Sequence, residues 1–206
     1  MVIDIETLLA RGAAYKTLNP GEILFKEGEK GNFYYQLVSG RIRWVNITEE
    51  ETEFVQNIIE EGESFGEIPL FDDEPFPATA IADMKSVIIR LDKPTFLQLL
   101  AERPDLHFNL TKILVDRLRL KFLLIKEVAR HKPENSILVL LSYLKKNKKS
   151  INPQNNRLNL TRQQIANMTG LRVETVIRAT KKLEERNILE IKKGKIYIKN
   201  EITEVI

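Results

Sequence analysis

Cysteine is absent from the sequence. Disulfides, thiolate metal centres and cysteine-held iron–sulfur clusters are therefore excluded, and the composition suits a reducing compartment. Histidine is nearly absent too: the two residues are His107 and His131, and the first 105 positions contain none. A metal-dependent β-barrel enzyme of the cupin kind needs clustered His and Glu ligands on its strands, so that class loses its chemistry here. No apolar run is long enough to span a bilayer. The N-terminus MVIDIETLLARG lacks the basic start, apolar core and small-residue cleavage site of a signal peptide. A cytoplasmic location is expected. One further absence is local. The stretch GEIPLFDDEPFPATA, residues 66–80, is shaped like a ligand loop yet holds no Lys, Arg or His.

What the chain does have is unevenly distributed. Residues 1–105 carry 10 Lys+Arg against 20 Asp+Glu, a net −10, and residues 106–206 carry 22 against 9, a net +13. An acidic half followed by a basic half points to two domains with different partners, the second facing a polyanion such as nucleic acid. Residues 15–100 read as short strands. EILF, YYQLVS, RIRWVNI, EFVQNII and SVIIRL are separated by turn material, which suggests an antiparallel sandwich or barrel. Gly21, Gly28, Gly31 and Gly40 stand where positive φ is expected. Arg41, Arg43 and Arg90 lie on strands, with their facing undetermined.

From Thr95 the pattern turns helical. A short helix stops near Pro104. A run of about 25 residues without Gly or Pro follows, with apolar positions on more than one face, including Leu106, Leu110, Leu118, Leu124 and Ile125. Two apolar faces need two partners, and a second subunit is the expected one. HKPEN, residues 131–135, reads as a hinge because Pro133 cannot continue a helix. SILVLLSYLKKN is another helix.

TRQQIANMTGLRVETVIRATKKLEERN, residues 161–187, carries the chemistry. Thr161 and Gln164 form a capping-box pattern. Ala166, Gly170 and Val176 supply a small residue, a turn glycine and a branched apolar residue at helix-turn-helix spacing. ILEIKKGKIYIKN then reads as a basic hairpin turning at Lys193-Gly194. Glu174 and Arg178 are four apart and share a face. They can be a helix-stabilising pair worth about 0.2–0.5 kcal/mol. They can also be base readers, Arg to guanine and carboxylate to cytosine N4. Within this motif readout is the expected role, with Arg162, Arg172, Thr175 and Lys181 as further DNA contacts.

These features in this order resemble the Crp/Fnr superfamily of bacterial transcription regulators. LNPGEILFKEGEKGNFYYQLVSGRIR resembles the opening of a cyclic-nucleotide-binding-type domain, SFGEIPLF its phosphate cassette, and TRQQIANMTGLRVETVIR the family's DNA-binding signature. The resemblance implies an α+β fold in three parts. These are an N-terminal antiparallel jelly-roll β-barrel (1–103), a long dimerisation helix (104–131) and a C-terminal winged helix-turn-helix (132–206). It implies a sequence-specific regulator, not an enzyme, that binds a near-palindromic double-stranded DNA site as a homodimer, with RNA polymerase as a further partner. Glu174 and Arg178 match the family's base-reading pair. Arg172 stands where a capping Ser or Thr is usual, and Ile177 where the Fnr branch often has serine.

The resemblance also identifies an effector pocket around Gly66, Glu67, Pro77, Ala78 and Thr79. A family member that holds a cyclic nucleotide uses an Arg-Ser pair to meet the phosphate; here the pair reads Pro77-Ala78. The helix position that would meet the base falls near Lys121 and Phe122, with no Thr-Ser pair. A buried phosphate without its cation forfeits a charge-assisted bond worth roughly 1.5–3 kcal/mol. The expectation is a regulator not gated by cyclic AMP, with no cofactor. The alternatives within the family are a cyclic-nucleotide-responsive or a haem-responsive regulator. For haem, only His107 and His131 offer imidazole, and each also reads as a surface or capping residue.

Overall fold

The structure is a computed structural model in which residues 2–48 and 53–199 are described. The chain divides into two compact units, Met1–Ile113 and Leu114–Ile206.

In the first unit a short helix, α1 (Ile5–Ala10), precedes two four-stranded antiparallel sheets. One sheet has the order β1-β8-β3-β6, from Ala14–Leu18, Ser86–Asp92, Phe33–Ser39 and Ser64–Phe65. The other has the order β2-β7-β4-β5, from Ile23–Phe25, Thr79–Ala82, Ile42–Ile47 and Glu53–Ile59. The crossovers make a double-sheet jelly roll, an arrangement that lets two half-apolar sheets bury their faces against each other. Side chains alternate across each strand. Tyr35 and Leu37, Ile42 and Trp44, and Ala78, Ala80 and Ala82 enter one buried cluster with Phe25, Phe65 and Phe76. The opposite face of β3 is also covered: Tyr34 stacks on Phe96 of α3 (Lys93–Glu102), their ring centroids 4.4 Å apart.

Gly21, Gly28 and Gly40 adopt the positive φ expected of them, but Gly31 does not. Gly31 is required for space instead: a Cβ there would sit 2.5 Å from Pro69 Cβ and 3.1 Å from the Phe76 ring. Spacing between glycines and turn residues carries no information about such a tertiary approach.

Helix α4 (Pro104–Ala129) follows, and Pro133 opens α5 (Pro133–Lys146). Between them His131 takes a φ of 51°, which breaks the helical path at the expected hinge. On α4, Leu110 and Leu120 are buried, whereas Phe108, Val115, Leu118, Phe122, Ile125 and Val128 are exposed. Both apolar faces anticipated for this helix therefore exist. Phe108, Val115 and Phe122 extend the exposed one beyond the residues picked out by sequence.

Burial pushes the Lys121 ammonium on α4 down to about 8. Between that pH and the free-lysine range near 10.4, the unfolded chain binds more protons than the folded one, so stability rises with pH across the window. Lys121→Met is expected to raise the Tm at pH 7, by up to about 3 kcal/mol of stability, and to flatten the rise between pH 8 and 10. Thermal melts at the two pH values check this; an unchanged slope counts against it.

The second unit packs α5, α6 (Arg162–Thr169) and α7 (Val173–Glu185) around Ile137, Leu140, Leu141, Ile165, Val176 and Leu183, all fully buried. A hairpin of β9 (Leu189–Lys192) and β10 (Lys195–Ile198) completes it.

Candidate nucleic-acid interface

The two helices of the motif are set by their ends. Thr161 Oγ1 accepts from Gln164 N at 3.1 Å and Gln164 Oε1 accepts from Thr161 N at 2.9 Å, a complete capping box. Gly170 closes α6 in the left-handed region at φ 70°. That conformation suits glycine and turns the chain sharply into α7. Ala166 is buried between the two helices, and Val176 and Leu183 anchor α7 from below. Ala179 and Thr180 are buried beside them, and the opposite side of α7 faces outward.

On that outward face Glu174, Ile177, Arg178 and Lys181 are exposed, and Thr175 is half-buried. Arg172, Glu174, Thr175, Ile177 and Arg178 line one open depression. Glu174 and Arg178 share the face but do not pair: among the described residues neither side chain makes a hydrogen bond or an ion pair. The helix-stabilising role open to them in sequence is therefore not taken up, and both remain available to a ligand. Arg172 occupies the N-cap of α7 and makes no capping bond, so its guanidinium is likewise uncommitted.

Arg162 differs. It is half-buried, and burial holds its pKa below the usual arginine range, with the Glu184 carboxylate acting the other way. Glu184 in turn accepts from Ile191 N at 2.7 Å and ties α7 to the hairpin. In the hairpin turn Lys193 and Gly194 both have positive φ, 48° and 74°. That is the type I′ geometry that a tight two-residue hairpin needs. It presents Lys193 and Lys195 to solvent, while Lys192 is held by Glu190 at 2.8 Å.

The residues expected around an effector are built differently from a phosphate site. The stretch 66–80 is not all loop. It contains α2 (Ile68–Asp72) and the first residues of β7, neither of which the local pattern revealed. Gly66 has φ 69°, and a Cβ there would lie 3.1 Å from both Phe25 and Tyr35. Glu67 is buried at the start of α2. Phe76 stacks on Phe25 with centroids 3.7 Å apart. Pro77 points outward and its carbonyl accepts from Asn46 Nδ2 at 2.7 Å. Ala78 faces the apolar cluster, and its carbonyl accepts from Trp44 Nε1 at 3.0 Å. Thr79 Oγ1 accepts from Glu27 N at 3.0 Å. No cation enters from this segment, and the interior beside it is aromatic. The segment itself supplies no cation to meet a phosphate.

Arg43 and Arg90 lie on strands as expected, whereas Arg41 falls just before β4. Arg43 forks onto Glu53 at 2.9 and 3.0 Å and reaches Asp83 at 2.7 Å, and Arg41 meets the same Asp83 at 3.0 Å. Both are committed outside the core. Arg90 is paired across the sheet with Tyr35, on the interior side, and its guanidinium lies 4.8 Å from the Phe33 ring centroid. Burial raises the Tyr35 phenol pKa, while the Arg90 charge pulls it down.

His107 and His131 are exposed. Among the described residues no group of three or more His, Cys, Asp or Glu could hold a metal ion. Among them, too, no helix is long and apolar enough to cross a membrane.

A jelly roll, a long helix and a winged helix-turn-helix with an uncommitted recognition face define a two-unit DNA-binding regulator. The comparisons agree. Residues 15–103 match the family model for the Cyclic nucleotide-binding domain, and residues 137–201 match that for the Crp-like helix-turn-helix domain. The Fumarate and nitrate reduction regulatory protein of Yersinia pestis is 26% identical over 90% of this chain and 74% of its own length. The cAMP-activated global transcriptional regulator CRP of Salmonella typhimurium is 26% identical over 81% of this chain and 80% of its own. Among solved structures, a CooA mutant from Carboxydothermus hydrogenoformans superposes with a TM-score of 0.76 at 22% identity, covering 96% of this chain and 88% of that one. FixK2 from Bradyrhizobium japonicum gives 0.71 at 19%, covering 91% and 93%. The chain belongs to the Crp/Fnr superfamily of transcription regulators. The two relatives named above, which the chain matches over most of its length, bear the names of regulators, not enzymes.

Proposed function

We propose that this regulator binds a near-palindromic DNA site as a homodimer paired along α4, reads it with Glu174 and Arg178, and does so without cyclic AMP. The observation that carries the reading is the uncommitted face of α7. Glu174 and Arg178 are exposed side by side with no partner among the described residues. Arg172, Thr175 and Lys181 surround them as phosphate contacts, and the hairpin with Lys193 and Lys195 reaches the flanking backbone. The half-buried Arg162 takes a lesser part. RNA polymerase is the partner that a regulator of this family meets once on DNA. The functional parts are residues 1–103, 104–131 and 132–206.

Site selection from random duplexes tests the reading. A two-fold-symmetric sequence should emerge, and affinity for it should fall steeply with salt as phosphate-bound counterions are released. Recovery of no preferred sequence would sink it.

The relatives named for cAMP activation mark the other possibility for the jelly roll. The outward Pro77, the buried Ala78 and the Phe25–Phe76 stack support the reading without cyclic AMP. Calorimetry with micromolar cyclic AMP should give no saturable heat, and DNA affinity should be unchanged when it is added. Saturable binding would overturn this part of the proposal alone.

A further inference from the structure

In the winged unit nearly every large apolar side chain is covered. Among the described residues from Pro133 onward, Ile177 is the one large hydrophobic residue that is exposed, at 40%. It is not at an edge of the fold or in a loop. It sits on α7 three residues after Glu174 and one before Arg178, and lines the same depression. Helical geometry places it on one side of Glu174, about 60° around the axis, and Arg178 on the other, about 40° around. An isolated exposed isoleucine elsewhere would need no explanation. Here its neighbours are the residues that face the bases.

The C5-methyl of thymine is the one alkyl group that base edges present in the major groove. Isoleucine has no donor or acceptor with which to read anything else. We infer that Ile177 is a specificity-determining residue that packs on a thymine methyl in each half-site, at a base pair close to the one read by Arg178. The inference rests on the proposal that α7 enters the major groove. Glu174 and Arg178 read by hydrogen bonds; Ile177 adds an apolar contact of a different chemical kind, so its contribution can be removed from the DNA without touching the protein.

The test uses the full-length protein and its selected site, with fluorescence anisotropy as the readout. Each thymine of the half-site is replaced in turn by uracil, which keeps every hydrogen-bonding edge and deletes only the methyl. At one position the replacement should weaken binding about fourfold per half-site, the worth of one buried methyl group, and about fifteenfold when both half-sites are changed. Ile177→Ala should bind the thymine and uracil sites alike, and Ile177→Val should keep part of the preference. Uracil replacement without effect at every position would overturn the inference. If Arg178→Ala still relaxes one base pair in that case, α7 remains the reading helix and only the role of Ile177 falls. If Arg178→Ala changes no preference either, the base-reading proposal falls with it.

Discussion

Arg178→Ala is expected to weaken binding to the selected site by about 1–3 kcal/mol per half-site, roughly five- to 150-fold, and to leave one base pair in each half-site unspecified. The reason is the geometry of what is lost. A guanidinium presents a rigid planar fork that matches guanine O6 and N7, and alanine makes neither bond. Arg178 makes no hydrogen bond or ion pair among the described residues, so the substitution removes no polar contact that holds α7 in place. Val176 and Leu183, which do hold it, are fully buried on the opposite side. The loss should therefore appear in binding and not in the thermal melt. Lys181→Ala is the comparison. A lysine on a phosphate should weaken all sequences alike and reduce the salt slope by about one. An Arg178→Ala protein that selects the same site as the parent would show that another residue reads that base pair.

The second large effect concerns α4. Phe108, Val115 and Phe122 recur at seven-residue intervals, and Leu118 and Ile125 fall three residues after Val115 and Phe122. This is the a and d spacing of a coiled-coil seam, which the second copy of the proposed homodimer would cover. All five are between 47% and 71% exposed, so the stripe is available in the single chain. Each such side chain is worth about 1.5–3 kcal/mol when fully buried, and a twofold interface counts each of them twice. Phe122→Asp would place two carboxylates against each other in that seam, where an unpaired charge costs several kcal/mol. The variant is expected to run as a folded monomer in analytical ultracentrifugation at concentrations where the parent is a dimer. Its affinity for the two-half-site duplex should fall by about 10²–10⁴-fold, because the second half-site is no longer held near the first. Its affinity for a single half-site should stay the same. A dimer that survives this substitution would place the subunit contact elsewhere.

Much of the helix-turn-helix was legible because it is written in local terms. A cap, a turn glycine and a helix register act over a few residues. Thr161 with Gln164, Gly170 and the four-residue interval from Glu174 to Arg178 could all be read from the chain and reappear in the structure with the geometry they implied. The short strand β7 and the helix α2 were not legible. Their sequence, rich in proline and acid, has no periodicity; strand pairing with β4 and the packing of Pro69 near Gly31 impose their form. The heptad on α4 was seen only in part, since a helix with two apolar faces does not reveal which face its own chain covers.

By itself, then, the amino-acid order determined the exclusions and the local frame. Without cysteine there is no thiolate chemistry. With Pro77-Ala78 in the cassette there is no phosphate cation at that point, and the signature around Gly170 makes a helix-turn-helix. What only the tertiary structure decided is which groups are free to act. Arg41, Arg43 and Arg90 look alike in sequence. Two end on Asp83 and Glu53, and the third lies over Phe33. Glu174 and Arg178 have spacing suited to an ion pair, yet both stand open. The physical reason is that availability is set by neighbours brought from elsewhere in the chain. A side chain's type and register are local, but its partners and its burial are not.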